Sequence, residues 1–154
     1  MVVACGGERR SGLRRGDPFP AFVLGDLEGR PHAFPDALGR VWLINLWATW
    51  CEPCRREMPA LDRLRAEYGS RLGVLAISVD EDINLVREFV LRYRLGLTVL
   101  RDPNQQATRH LLPGLALPRS YLVARDGRVA EVVEGYHDWE APAARAVLEH
   151  LLAG

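Results

Sequence analysis

The chain contains no lysine, so all 20 of its basic residues are arginine, and 20 acidic residues balance them to a formal charge of zero. A chain without a basic excess lacks the electrostatic footprint of a nucleic-acid-binding protein, so we expect no nucleic-acid partner. No apolar run approaches the roughly 20 residues that a membrane-spanning helix requires. We therefore expect no membrane-spanning helix in the chain as given.

Cysteine is also scarce, with three in 154 residues: Cys5, Cys51 and Cys54. Three cysteines cannot form a disulfide framework, and a domain of this length does not need one, because it can bury roughly two thirds of the surface that its unfolded chain exposes. Cys51 and Cys54 are only three positions apart. The count and spacing favour redox chemistry over a structural role.

The chain divides into a short N-terminal segment and one domain. Residues 1–17 are rich in glycine and arginine without helical or strand periodicity, which predicts a flexible tail or linker, and residues 18–154 are expected to fold. Within the domain, the turn signal at residues 27–30 separates two short apolar stretches. It predicts a hairpin at the edge of a sheet.

Two apolar segments, residues 41–47 and 72–79, are typical of parallel strands that are covered on both faces. The segment between them has apolar residues at helical spacing from near Cys51 to Gly69, a residue type that commonly ends helices. A second stripe predicts a helix over residues 83–94. Strand, helix and strand make a βαβ unit at the centre of the domain.

The C-terminal part of the chain predicts an antiparallel hairpin and a last helix. Asp126-Gly127 is a strong two-residue turn signal between apolar segments at 121–124 and 128–134. Asp138 is a candidate N-cap for a helix that continues to about residue 152. We therefore predict an α/β domain with a central mixed sheet flanked by helices.

The segment WCEPC lies where an apolar strand gives way to a helix. The sulfur of Cys51 would face the unpaired N–H groups of the helix N-terminus, which stabilise a thiolate and lower its pKa. Cys54 lies one turn further in, and Pro53 suits the first turn. This arrangement predicts dithiol exchange, in which Cys51 attacks a substrate disulfide and Cys54 resolves the mixed disulfide.

Two other functions of a CxxC or reactive cysteine, structural zinc binding and peroxidase activity, are less consistent with the sequence. Structural zinc needs four ligands, and the chain has neither a second CxxC nor an HxxxH. Peroxidases of the same general fold have threonine three residues before the reactive cysteine, where this chain has Ala48. A copper-binding chaperone that uses Cys51, Cys54 and His137 stays open, and so does a general disulfide oxidant, which differs only in potential and electron donor.

The segment INLWATWCEPCRREMPAL resembles the extracytoplasmic thioredoxins of the TlpA, ResA and CcmG (DsbE) group, and the likeness extends from about Pro18 to the C-terminus. The resemblance implies a thioredoxin fold with an N-terminal hairpin extension and no cofactor beyond the redox-active disulfide. It implies reduction of protein disulfides, for example in apocytochrome c or copper-site proteins. A membrane thiol shuttle would supply the electrons to what we expect to be a monomer.

The same resemblance assigns roles to residues of the site. Cys51 would be the nucleophile, Cys54 the resolving thiol and Glu57 an acidic partner of both. A cis proline faces the cysteines in this group, and Pro118 matches it by position. The residues expected to contact substrate or tune the pair are Trp50, Glu52, Pro53, Leu117 and Pro118.

The chain departs from related patterns at two positions, Asn45 and Arg119. Cytosolic thioredoxins carry aspartate in place of Asn45, and many relatives have threonine in place of Arg119. Because an amide cannot act as a base, deprotonation of Cys54 would need another group. Glu57 is the nearest candidate: it falls on the inward stripe of the helix, where burial raises a carboxyl pKa. The alternative is an ordinary solvated glutamate.

Two further features have structural interpretations. The acidic run at residues 80–82 follows a parallel strand on the same rim as the cysteines, where it either selects partners or caps the next helix. Trp42, Trp47 and Trp139 are expected to pack in the core, whereas Trp50 is expected to be partly exposed.

The first residues, MVVACGG, resemble the end of a lipoprotein signal, in which Cys5 would be lipidated and become the N-terminus. The upstream basic and apolar regions of such a signal are missing, so Met1 is interpreted as a truncated start. The alternative is a plain tail with an incidental thiol. The family resemblance implies an extracytoplasmic location, in the periplasm or cell envelope.

Overall fold

The computed structural model describes residues 12–36 and 39–154. The strands are β1 (Phe22–Asp26), β2 (Pro31–Phe34), β3 (Val41–Trp47), β4 (Leu72–Ser78), β5 (Thr98–Arg101), β6 (Arg119–Val123) and β7 (Val129–Glu134). The α-helices are α1 (Glu52–Tyr68), α2 (Ile83–Arg92) and α3 (Pro142–Ala153), and short 3-10 turns cover Gly69–Arg71, Arg109–Leu111 and Pro113–Leu115.

The strands form one mixed sheet in the order β2-β1-β5-β4-β3-β6-β7. β3, β4 and β5 run parallel, whereas β6 pairs antiparallel with β3 and β7 antiparallel with β6. At the other side, β1 pairs antiparallel with both β5 and β2. The sheet is thioredoxin-like, and the predicted α/β fold with an N-terminal hairpin at the sheet edge is confirmed.

The central strands β3 and β4 are in register along their whole length, from Val41 opposite Leu72 to Trp47 opposite Ser78. Nearly every side chain of the two strands is buried, as their continuous apolar sequences predict. Their carboxyl ends therefore reach the same edge of the sheet. In open α/β sheets this edge is where functional sites form.

Helix α1 connects these strands, with Cys51 directly before its first residue and Cys54 in its first turn. Cys51 is its N-cap and Gly69, with φ +55°, is its C-cap, so the predicted bounds are confirmed. The side chains of Met58, Leu61 and Leu64 are fully buried beneath the helix. This packing fixes the N-terminus of α1 against the sheet edge where β3 ends.

Both predicted hairpins are present. Gly29 in the β1–β2 turn has φ +80° and Gly127 in the β6–β7 turn has φ +82°, a backbone conformation that residues with a Cβ adopt at a cost. The second hairpin places β6 next to β3, and its strand pairing extends from Arg119 to Val123. Residue 118, which precedes β6, is thereby brought to the edge where β3 ends.

Two helix boundaries differ from the predicted ones. Helix α2 ends at Arg92 rather than residue 94, because Arg94 itself takes a positive φ of +51° two residues before Gly96. Helix α3 begins at Pro142 with Ala141 as N-cap. The carboxylate of Asp138 instead accepts the backbone N–H of Glu140 at 3.1 Å, in the turn before the helix.

The segment before β1 lies along β7. The N–H of Gly16 donates to the carbonyl of Val129 at 2.8 Å, and the N–H of Val129 donates to the carbonyl of Asp17 at 2.9 Å. The boundary between a tail at 1–17 and a domain at 18–154 stays a prediction, and Cys5 lies outside the described residues. Within those residues, no helix has both the length and the apolar character needed to cross a membrane.

Candidate active site

Cys51 and Cys54 form a disulfide at the junction between β3 and α1, with their Cα atoms 5.3 Å apart. The backbone N–H of Cys54 points to the sulfur of Cys51 at 3.4 Å, so this sulfur occupies the N-cap position of the helix. Free N–H groups and the positive end of the helix dipole favour a negative charge there. This is the position where a helix N-terminus favours a thiolate, and the role of Cys51 as the nucleophile stays a prediction.

The two cysteines differ in how much solvent they meet. Cys51 is 7% exposed and Cys54 is 1% exposed, while the preceding Trp50 is 61% exposed. A partner that approaches along the surface of Trp50 meets Cys51 first, and Cys54 lies behind it. Cys51 is thus the more accessible sulfur, and the roles of attacking and resolving thiol stay predictions.

The residues predicted to contact substrate lie in two segments: one around the cysteines, and one that directly precedes β6 and contains Leu117 and Pro118. The Leu117–Pro118 peptide bond is cis, as predicted. Because Leu46 pairs with Arg119, Pro118 lies level with the end of β3, at the same sheet edge as the cysteines. Pro118 is buried and its carbonyl accepts the N–H of Gly135 at 2.8 Å, whereas Leu117 is half-buried.

Glu52 and Pro53 form the first turn of α1. Pro53 is half-buried, in a position where a missing N–H costs no helical hydrogen bond. Glu52 is exposed and pairs with Arg56 one turn later at 3.2 Å. The negative charge of Glu52 near the helix N-terminus is favourable, and it lies beside the disulfide without being buried with it.

Glu57 is buried, with only 1% of its surface exposed, one turn beyond Cys54 on α1. Burial raises the pKa of its carboxyl to about 7, against the opposing effects of hydrogen bonds from the Trp139 indole and the His137 backbone. The indole N–H of Trp139 donates to Oε1. Glu57 is therefore not a solvated helix residue, and its carboxyl can both accept and give up a proton near neutral pH.

Asn45, the position where an aspartate would be an alternative base, is buried in β3. Its side-chain amide donates to the hydroxyl of Ser120 at 2.9 Å. Neither group titrates in the neutral range, so this pair holds β3 and β6 together without accepting a proton.

The acidic run after β4 has two different functions. Asp82 caps α2, because its carboxylate accepts the N–H of Asn84 at 2.8 Å. Asp80 is buried, and its carboxylate accepts hydrogen bonds from the N–H and hydroxyl of Thr49 and from the hydroxyl of Ser78. Sequence reasoning placed Asp80 on the correct rim but missed this contact with the segment before Cys51.

Trp139 is the second residue whose contact the sequence did not indicate. It was expected only to pack in the core, and it is buried, but its N–H also binds Glu57 from 82 positions away in the chain. No local pattern signals a contact of that separation. Among the described residues, no group of three or more histidine, cysteine, aspartate or glutamate side chains is arranged to hold a metal ion.

Known proteins resemble this chain in sequence. The thiol-disulfide oxidoreductase ResA of Geobacillus thermodenitrificans is 36% identical over 121 residues, which cover 78% of this chain and 69% of that protein. The thioredoxin-like protein YneN of Bacillus subtilis is 32% identical over 131 residues, covering 83% of this chain and 76% of YneN. Both alignments exceed two thirds of each chain.

Solved structures agree with these relatives. A Chlorobium tepidum chain assigned as the thiol:disulfide interchange protein DsbE superposes with a TM-score of 0.77 at 29% identity, over 92% of this chain and 97% of the other. A Neisseria meningitidis chain assigned as a thioredoxin gives a TM-score of 0.77 at 27% identity, over 92% and 93%. Residues 15–132 match the AhpC/TSA family. The chain thus belongs to the AhpC/TSA family of thioredoxin-like proteins and is a thiol–disulfide oxidoreductase with Cys51 and Cys54 as its redox pair.

Proposed function

We propose that this protein is a protein-disulfide reductase that acts outside the cytoplasm. The observation that carries the proposal is the placement of three groups at one helix end. The Cys51 sulfur caps α1, Cys54 is buried one turn behind it, and the carboxyl of Glu57 is buried one turn further. A nucleophile, a resolving thiol and a base follow each other along one helix.

In the first step, the Cys51 thiolate attacks one sulfur of a substrate disulfide. A Cys51–substrate disulfide forms, and the other substrate sulfur leaves as a thiolate that takes a proton from solvent. In the second step, Cys54 gives its proton to the carboxylate of Glu57 and attacks the Cys51 sulfur. The Cys51–Cys54 disulfide forms and the second substrate sulfur leaves as a thiolate, so two electrons pass to the substrate.

The surroundings of the pair favour a reductant. A buried carboxylate one turn from Cys54 disfavours a nearby thiolate by charge repulsion, and that repulsion is relieved when the thiols become a disulfide. The pair then gives up electrons more readily than it would beside a neutral residue. The helix N-terminus acts the other way at Cys51, but the reactive thiolate there is needed for attack.

Substrate contact is assigned to the residues around the pair. The exposed indole of Trp50 offers apolar surface beside Cys51, and the cis Leu117–Pro118 segment lies at the same sheet edge. Glu52 and Pro53 complete the rim on the helix side. By resemblance, the substrates are disulfides of apocytochrome c or copper-site proteins, a membrane thiol shuttle re-reduces the pair, and Cys5 anchors the protein to the cell envelope through a lipid.

The reduction potential of the Cys51–Cys54 pair tests the direction of electron flow. It is measured by equilibration with glutathione or dithiothreitol buffers and alkylation of free thiols. We expect a value close to that of thioredoxin, about −270 mV, and a higher value in Glu57→Gln, which removes the repelling charge. A potential near about −120 mV would identify a general oxidant instead.

A further inference from the structure

Trp139, in the C-terminal part of the chain, contacts helix α1 through a hydrogen bond to Glu57. We propose that Trp139 is the positioning residue for Glu57: its indole N–H holds Oε1, so that Oε2 is the oxygen that takes the proton of Cys54. This inference rests on the base function proposed for Glu57 and adds the group that orients the base.

The position of Trp139 is fixed by the segment between β7 and α3. Its side chain is buried and the ring of His137 packs edge-on against it, with ring centroids 4.6 Å apart. The turn that contains it closes through the N–H of Ala141, which donates to the carbonyl of Asp138 at 3.2 Å. An indole held this firmly presents its N–H in one direction, towards the carboxylate.

The two oxygens of Glu57 have different surroundings. Oε1 accepts the indole N–H, whereas Oε2 is buried and has no partner at hydrogen-bonding geometry among the described residues. The backbone of His137 is close enough to the carboxyl to lower its pKa, but it does not meet that geometry. An unsatisfied buried carboxylate oxygen is costly, and such atoms in native proteins call for a functional explanation. Cys54 precedes Glu57 by three residues, so both side chains lie on one helix face, where the thiol can supply the missing hydrogen.

The proton balance uses only groups of this site. The Cys54 thiol transfers its proton to Oε2, and the Cys54 thiolate then displaces the substrate sulfur from Cys51. The leaving substrate thiolate takes up a proton, either from solvent or from the carboxyl of Glu57. Oε1 remains bound to the indole throughout, so the carboxyl does not rotate between steps.

The titratable groups around this carboxyl are the Cys51–Cys54 pair on its own helix and His137 on the segment that carries Trp139. Asp138 is exposed, and Glu140 pairs with Arg63 at 2.7 Å. The β3–β6 pair contributes Asn45 and Ser120, which do not titrate near neutrality.

The test compares two tryptophan variants. Trp139→Phe removes the N–H and keeps most of the ring. Trp47→Phe is the matched control, because Trp47 is also fully buried but its N–H has no partner among the described residues. In each, the carboxyl pKa of Glu57 is followed by carbon-13 NMR, with Glu57→Gln identifying the resonance, and the rate of mixed-disulfide resolution is followed against pH.

In Trp139→Phe we expect the pKa of Glu57 to rise by about one unit, since a hydrogen bond to its charged form is lost. The midpoint of the resolution profile should rise equally, so that resolution slows about fivefold at pH 7 and recovers above about pH 9. Attack by Cys51 should keep its rate, and Trp47→Phe should change neither midpoint.

The wild-type protein provides a measurement that does not depend on a variant folding. The indole N–H resonance of Trp139 should titrate with the midpoint of Glu57, and that of Trp47 should not. An unchanged midpoint in Trp139→Phe, together with slow resolution in Glu57→Gln, would overturn the function of Trp139 alone. An unchanged resolution profile in Glu57→Gln would overturn the base function of Glu57 and this inference with it.

Discussion

Thr49 and Asp80 are joined across the carboxyl ends of β3 and β4. The N–H of Thr49 donates to Oδ2 of Asp80 at 3.0 Å, and the hydroxyl of Thr49 donates to the same buried carboxylate. Ser78, the last residue of β4, donates its hydroxyl to Oδ2 at 2.6 Å. These bonds tie Thr49, two residues before Cys51, to the central sheet and so help to fix the position of the reactive sulfur.

Asp80→Asn should lower the free energy of unfolding by about 1–3 kcal/mol, because the amide has a single acceptor oxygen and turns an N–H₂ group towards existing donors. Urea denaturation of the oxidised protein measures the change. Asp82→Asn is the control, since asparagine caps a helix as well as aspartate does. Equal stability of the two variants would show that the Thr49 contact contributes nothing.

Glu57→Gln should slow resolution of the mixed disulfide roughly 10²-fold at pH 7–8 while leaving its formation unchanged. The pKa of Glu57 is raised to about 7, so the wild-type base is populated above this pH. Below about pH 6 the wild-type carboxyl is protonated as well, and the two rates should converge. Rapid quenching with alkylation separates the two steps.

Glu67→Gln provides the matched control for that experiment. Glu67 lies on the same helix, far from the cysteines, and is exposed and paired with Arg145. Its removal should leave the shape of the resolution profile unchanged. If both variants gave the wild-type profile, water or Cys51 itself would handle the proton of Cys54.

Burial of Glu57 should also make stability depend on pH. Its pKa of about 7 in the folded chain is above the ordinary value of 4.5, so between these pH values the folded state binds more protons than the unfolded state. Stability is therefore lost as the pH rises through this window, by an amount on the order of 3 kcal/mol. Urea denaturation at pH 5 and pH 8 should show a smaller loss in Glu57→Gln, and an equal loss would contradict the raised pKa.

Local sequence signals predicted most of the fold. Apolar runs marked β3 and β4, Gly69 marked the end of α1, and Asp126-Gly127 marked the second hairpin, because each signal acts through the backbone of its own segment. The helix boundaries that differed from the predicted ones depend on the backbone conformation and hydrogen bonds of single residues. Arg94, inside the predicted helix, adopts the left-handed conformation, and Asp138 caps a turn rather than α3.

The candidate site was predicted less completely than the fold. The CxxC spacing and the inward stripe of α1 indicated Cys51, Cys54 and Glu57, since all three lie within two turns of one helix. The contacts of Asp80 with Thr49 and of Trp139 with Glu57 join residues that are distant in sequence. Such contacts depend on how different elements pack against each other, and the hydrophobic periodicity within one element does not indicate which residues of another element it will contact.

The most direct test of the account is to find which sulfur holds the substrate. Cys51→Ala and Cys54→Ser are each incubated in reduced form with a disulfide-containing protein, and trapped complexes are located by mass spectrometry after alkylation. We expect Cys54→Ser to accumulate a mixed disulfide at Cys51 and Cys51→Ala to accumulate almost none at the buried Cys54. Equal trapping by both variants, or trapping at Cys54 alone, would contradict the assignment of Cys51 as the attacking thiol.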